Sequence, residues 1–153
     1  MSDSPIQVVG RWLQNLLDPE VIYSVVASDA TYVSPNTEDP ELTRIMPWAG
    51  TSRGPQAFLG NLSEMFTRWE NQAFKVTTMF ASGENVAVFG DFRYKSNSLG
   101  KVVTSPFSIL AKVFDGKVTY LQFFEDSYAT AASFRKEGSW IVQTEPGTEP
   151  FQV

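Results

Sequence analysis

At Trp69 the periodicity of the chain changes. Before it, apolar residues recur every three or four positions; after it, they alternate. A helix returns to one face every 3.6 residues and a strand every two, so the two stretches must build different elements. In the first stretch Ser4-Pro5 is a helix start, because Ser caps free N–H groups and Pro fits the first turn. Val9, Trp12, Leu13 and Leu16 follow as its stripe. Asp18-Pro19-Glu20 repeats the signal, and Val21, Ile22, Val25 and Val26 stripe a second, shorter helix. Asp29 ends it, and residues 30–34 (ATYVS) predict a strand. Pro35 to Trp48 is polar, holds three prolines and reads as a long loop, a length often used for lids or binding loops. A third helix is predicted from Pro55 to about Trp69, striped by Phe58, Leu59, Leu62 and Phe66.

Beyond Trp69, Phe74 to Ala81, Val86 to Lys95, Val102 to Phe114 and Val118 to Glu125 predict four strands. Asp115-Gly116 is a two-residue hairpin signal, since both residues tolerate positive φ. Short turns between successive strands make an antiparallel meander. Ser127 to Lys136 predicts a short helix stopped by Gly138. Residues 1–137 are therefore expected to form one domain, and residues 138–153 a polar extension that stays loose unless it docks. Helices followed by an antiparallel sheet give the α+β class. Apolar residues on both parities, such as Phe107 beside Ile109 and Leu110, suggest that both sheet faces are partly buried. The expected explanation is a homodimer through the sheet's outer face.

Two absences in the 153 residues prune the chemistry: there is no His and no Cys. That removes Ser-His-Asp catalysis, thiol nucleophiles, Cys- or His-ligated metals and iron–sulfur clusters. Acid–base work falls to Asp, Glu, Lys or Tyr. A net charge of −5, with dispersed basic residues, argues against a nucleic-acid partner. No window is long and apolar enough for a membrane span. The start, MSDSPIQ, has neither a basic n-region nor an apolar h-region, so a cytoplasmic protein is expected. The acidic residues show no metal-ligand spacing, and neither a GxGxxG nor a Walker loop is present. Neither a metal nor a cofactor is expected.

Four segments in order carry a family resemblance. They are SDATYVSP (Ser28 to Pro35), WAGTSRGPQAFLGNL (Trp48 to Leu62), VFGDFRYKS (Val88 to Ser96) and FDGKVTYLQFFEDS (Phe114 to Ser127). With them the chain resembles the nuclear transport factor 2-like superfamily, in its SnoaL-like polyketide cyclase and ketosteroid-isomerase-like branches. The resemblance implies a conical, cystatin-like barrel: a curved antiparallel sheet closed by three N-terminal helices over a deep apolar pocket. It does not fix a reaction, because the superfamily hosts isomerases, cyclases, hydrolases and binders. The ketosteroid isomerase machinery does not carry over. Ser34 stands where that family has its general-base Asp, Gly10 lies near its Tyr, and Ile109 or Leu110 near its second Asp. SnoaL-like and epoxide-hydrolase-like members have an acidic residue after the DGK turn, matched by Asp126. The epoxide hydrolases add an Arg on an earlier strand, matched by Arg93; Lys95 stands where their second Asp would be.

The candidate catalytic residues are accordingly Asp126 and Arg93. Strict alternation puts Val118, Tyr120, Gln122, Phe124 and Asp126 on one face. If that face lines the cone, burial suits Asp126 to proton transfer near neutral pH; otherwise Asp126 caps the helix at Ser127. Arg93 orients Asp126 or binds an anionic group, or else makes a surface ion pair. It shares its parity with Asp91 and Lys95, so it points inward only if that polar face lines the pocket or a bulge shifts the register. Gln122, Phe124, Tyr32, Trp48 and Trp12 are the candidate ligand-binding residues, Trp12 lying on a helix stripe that is otherwise core. The expected activity is a cofactor-independent isomerase, cyclase or hydrolase acting on a small apolar or cyclic organic ligand. The alternative is a non-catalytic small-ligand-binding or dimerisation protein of the same fold.

Overall fold

The computed structural model describes residues 2–153. Helix α1 (Pro5–Gln14) starts in a capping box: the Gln7 backbone N–H donates to the Ser4 hydroxyl, and the Ser4 N–H donates to the Gln7 side chain. Helix α2 (Pro19–Val25) is capped by Asp18, whose carboxylate accepts from the N–H groups of Glu20 and Val21. It runs directly into strand β1 (Val26–Ser34), four residues longer at its start than the sequence pattern shows.

The segment read as one long loop is not structureless. Asp39 caps a short helix, α3 (Pro40–Ile45), and Gly50–Arg53 forms strand β2 against β1. Both were hidden for the same reason. Each is too short to show a period, and three prolines around them look like punctuation even though Pro40 sits at a helix start, where it needs no N–H. Helix α4 (Pro55–Arg68) follows.

The remaining strands are β3 (Trp69–Ser82), β4 (Asn85–Ser96), β5 (Val102–Phe114) and β6 (Lys117–Glu125). They form the expected meander, and β6 then pairs in parallel with β1, giving one six-stranded sheet in the order β2-β1-β6-β5-β4-β3. Asp115 and Gly116 both have positive φ, 49° and 73°, as the hairpin signal predicts. Helix α5 (Ser127–Ala132) follows β6. The extension expected to be loose folds back on itself instead: strands β7 (Ile141–Val142) and β8 (Phe151–Gln152) pair as a small separate hairpin.

Helices α1, α2 and α4 pack on the inner face of the curved sheet, as expected for the α+β cone. Val8, Val9 and Trp12 of α1, Ile22 and Val25 of α2, and Phe58 and Leu62 of α4 are buried there. They meet Val86, Val88, Phe92 and Tyr94 of β4 and Val103, Phe107, Ile109, Ala111 and Val113 of β5. No helix among the described residues is long and apolar enough to cross a membrane.

One irregularity decides which side chains reach the interior. Val113 of β5 pairs with Val118, but the next residue, Lys112, pairs with Tyr120. Strand β6 thus carries one residue more than its partner, a bulge at Thr119, whose hydroxyl donates to the Lys112 carbonyl at 3.2 Å. Val118 points inward before the bulge; Leu121 and Phe123 point inward after it. Everything downstream in β6 is turned over relative to a regular strand.

Candidate active site

The bulge exchanges the faces of two neighbouring carboxylates. The expectation that Asp126 projects into the cone is corrected: it is exposed, and its carboxylate accepts from the Ala129 N–H at 3.1 Å as the N-cap of α5. Gln122 and Phe124 lie on the outer face with it. Gln122 accepts from the Tyr120 hydroxyl at 2.7 Å and donates to the Pro35 carbonyl at 3.0 Å, and Phe124 is 41% exposed. Arg93 is also on the outer side, because β4 is regular here and Phe92 and Tyr94 take the inward positions. Its Nε donates to Gln72 on neighbouring β3 at 3.0 Å. Trp48 is buried in the core, edge-on to Trp69 with ring centroids 4.9 Å apart, and does not line the cavity between α1, α4 and the sheet. Of the seven residues predicted from sequence, Tyr32 and Trp12 line that cavity.

The cavity lies between α1, α4 and the inner sheet face and measures about 30 Å³, room for one or two water molecules. Its floor carries a few polar groups, on the buried Trp12, Tyr32, Ser34 and Tyr94 and on the half-buried Glu125. Its mouth is formed by Leu13, Leu16, Met65 and Phe66, all partly exposed. The floor is rigid by packing. Tyr32 stands edge-on to Phe58 at 5.0 Å, and Tyr94 stacks on Phe92 at 4.3 Å with Phe66 at its edge.

Glu125 is the residue that sequence reasoning missed. It ends β6, paired with Phe107, and the chain is fixed immediately after it because the Asp126 N–H donates to the buried Ser105 hydroxyl at 3.0 Å. Its Oε2 is out of solvent and has no hydrogen-bond partner. Burial raises its pKa from 4.5 to about 7; a hydrogen bond from Thr130 partly opposes that rise, and the neighbouring charge of Asp126 adds to it. The same burial, reinforced by the charge of Glu125, pushes the phenols of Tyr32 and Tyr94 well above the ordinary tyrosine range. The Ser34 hydroxyl opposes the shift at Tyr32. Both phenols therefore stay neutral and keep their protons, while the neighbouring carboxyl exchanges its own near neutral pH. The sequence held one usable signal. Two consecutive acidic residues at a strand end face opposite sides, so where one caps a helix the other is aimed inward.

This geometry stands beside a set of known proteins. A family model described as a SnoaL-like domain matches residues 13–121, a span that ends before Glu125. Patulin synthesis protein F of Aspergillus clavatus is 37% identical over 141 residues, covering 89% of this chain and 71% of that protein. An NTF2-like protein from Burkholderia xenovorans LB400 superposes with a TM-score of 0.75 at 23% identity, over 88% of this chain and 98% of its own. TerC, co-crystallised with polyporic acid, superposes with a TM-score of 0.69 at 23% identity, over 86% of this chain and 98% of its own. At such identities the two solved structures speak for the fold alone.

Proposed function

The chain belongs to the SnoaL-like family, and from that premise we propose that it is a small-molecule enzyme in which Glu125 moves a proton on a cyclic, largely apolar substrate. The observation that carries this reading is the Glu125 carboxyl: buried, with one oxygen unpartnered, in a wall of aromatic rings. A group with a pKa near 7 is both a competent base and a competent acid at neutral pH, which is what an isomerisation, cyclisation or elimination requires. Tyr32 and Tyr94 supply neutral hydrogen-bond donors beside it. Patulin synthesis protein F is named for a biosynthetic role, which fits a small organic ligand here.

The floor is rigid, so substrate access falls to the mouth. Leu13, Leu16 and Met65 are flexible side chains at partly exposed positions, and admitting a substrate to a cavity of about 30 Å³ requires them to move. That small volume also favours a second reading, a ligand-binding or packing role without chemistry. Turnover separates the two. A screen of small cyclic ketones and alcohols against the intact chain should find a compound that is converted, with conversion falling at least a hundredfold in Glu125→Gln. Undiminished turnover in that variant excludes the mechanism.

We also propose that the chain works as a homodimer through the outer sheet face. Across β4, β5 and β6, Phe89, Ser108 and Phe124 form one row, with Phe89 and Phe124 each more than two-fifths exposed. Leu110 and Ala87 form the adjacent row. Such a patch fits a self-complementary contact, in which the same rows meet about a two-fold axis.

A further inference from the structure

Among the described residues, three buried side-chain polar atoms have no hydrogen-bond partner: Trp12 Nε1, Trp48 Nε1 and Glu125 Oε2. Trp12 and Glu125 line the same cavity. The two atoms are of opposite kinds, since an indole N–H only donates and a carboxylate oxygen accepts. Yet they do not bond each other. Trp69 shows the ordinary solution for a buried indole here: its Nε1 donates to the Ser133 hydroxyl at 3.0 Å. A buried N–H without a partner is costly, and the cost is relieved when a ligand brings an acceptor. Trp12 itself is fixed, on a buried face of α1 with Phe58 edge-on at 6.3 Å.

The charge of the lining narrows the ligand further. Neither Lys nor Arg lines this cavity; Glu125 is its single ionisable group besides the two tyrosines. An anion entering it finds no counter-charge and meets repulsion from Glu125 whenever that group is ionised. A pure hydrocarbon leaves the indole N–H unpaired.

We propose that the Trp12 indole N–H holds an oxygen of the ligand, and that the site therefore takes uncharged ring compounds bearing a carbonyl oxygen and rejects carboxylates of the same shape. The proposal rests on the acid–base reading of this cavity and adds to it the donor and the substrate class. Trp12 sets which molecule is held and by which atom; Glu125 moves the proton.

The test uses indole 15N–1H resonances of the full chain, which has four tryptophans. The Trp12 signal is identified by its loss in Trp12→Phe, or by through-space contacts in the unaltered chain if that variant unfolds. Three probes built on one six-membered carbon ring are compared: cyclohex-2-enone, cyclohex-1-ene-1-carboxylate and toluene. The enone should shift the Trp12 indole proton saturably and leave that of Trp69 in place, while the carboxylate and toluene leave Trp12 unmoved. Trp12→Phe should bind the enone about tenfold more weakly, the equivalent of one lost hydrogen bond. A Trp12 signal that does not respond to the enone up to its solubility, or responds equally to the carboxylate, overturns the proposal. If that happens while Glu125 still titrates near neutral pH, the donor assignment fails and the acid–base reading stands. A Glu125 that titrates as an ordinary carboxylate removes both.

Discussion

Glu125 and Asp126 are consecutive in the chain and face opposite sides of β6: the Glu125 carboxyl is buried near Tyr32 and Tyr94, and the Asp126 carboxylate is exposed on the first turn of α5. The second fixes the first. By capping α5 and donating its own N–H to Ser105, Asp126 anchors the strand end from which Glu125 projects.

Turnover should therefore divide the pair. Asp126→Asn keeps a side chain that caps as well as Asp and should leave turnover within a few-fold of the parent. Asp126→Ala should lower stability by about 1 kcal/mol through the lost cap. Glu125→Gln should abolish most conversion, by a factor of about 100 or more. Steady-state kinetics with a converted substrate, alongside thermal unfolding, reads all three; strong loss in Asp126→Asn with none in Glu125→Gln contradicts the assignment.

The buried carboxyl also shapes stability against pH. Its pKa is about 7 in the folded chain and 4.5 in the unfolded one. Below pH 4.5 both states hold the proton, and the protonated group costs nothing. Between pH 4.5 and about 7 the unfolded chain releases the proton and the folded chain does not, so stability falls as pH rises, by about 3 kcal/mol in all. Glu125→Gln should remove that slope and unfold later than the parent at pH 8, as urea titrations across the range will show. An unchanged slope in the variant means that Glu125 is not the group responsible.

Gly90 is required by a close approach, not by its φ angle. A Cβ there would overlap the Lys75 carbonyl oxygen of β3 and come within 2.7 Å of the Phe107 ring. The site lies where the β3–β4 register shifts, between Val76 and Thr78. Gly90→Ala should destabilise the fold by about 3 kcal/mol or more, since neither backbone nor ring has room to yield. Chemical denaturation measures it, and a loss under 1 kcal/mol would show that the strands separate easily at this point.

The outer sheet face should govern assembly. Phe89→Glu places a charge in the exposed aromatic row and should convert a dimer to a monomer while leaving the Glu125 cavity intact. Sedimentation equilibrium of both chains decides it; a monomeric parent chain disproves the dimer.

Much of this architecture was legible before any coordinates. The period change at Trp69, the Ser4-Pro5 and Asp18-Pro19 starts and the Asp115-Gly116 turn all mark local preferences that the fold keeps. Tyr32, a ligand candidate in the sequence, lines the cavity because β1 stays regular from Ala30 to Ser34, with Ala30, Tyr32 and Ser34 all buried. What was hidden is long-range. The bulge at Thr119 depends on how β6 meets β5, and no residue within β6 announces it, so counting by twos from Val118 reached Asp126 instead of Glu125. Strand β2 exists because β1 offers it an edge, and its four residues carry no period of their own. Arg93 faces outward because its strand is regular, which the Asp91-Arg93-Lys95 parity already implied.

The account stands on the ionisation of one side chain. Selective 13C labelling of glutamate carboxyls, followed through a pH titration with Glu125→Gln to identify the signal, measures it directly. We predict a midpoint near 7 for Glu125. A midpoint near 4.5, with the carboxyl responding as a solvated group, would contradict the buried acid–base site and the function drawn from it.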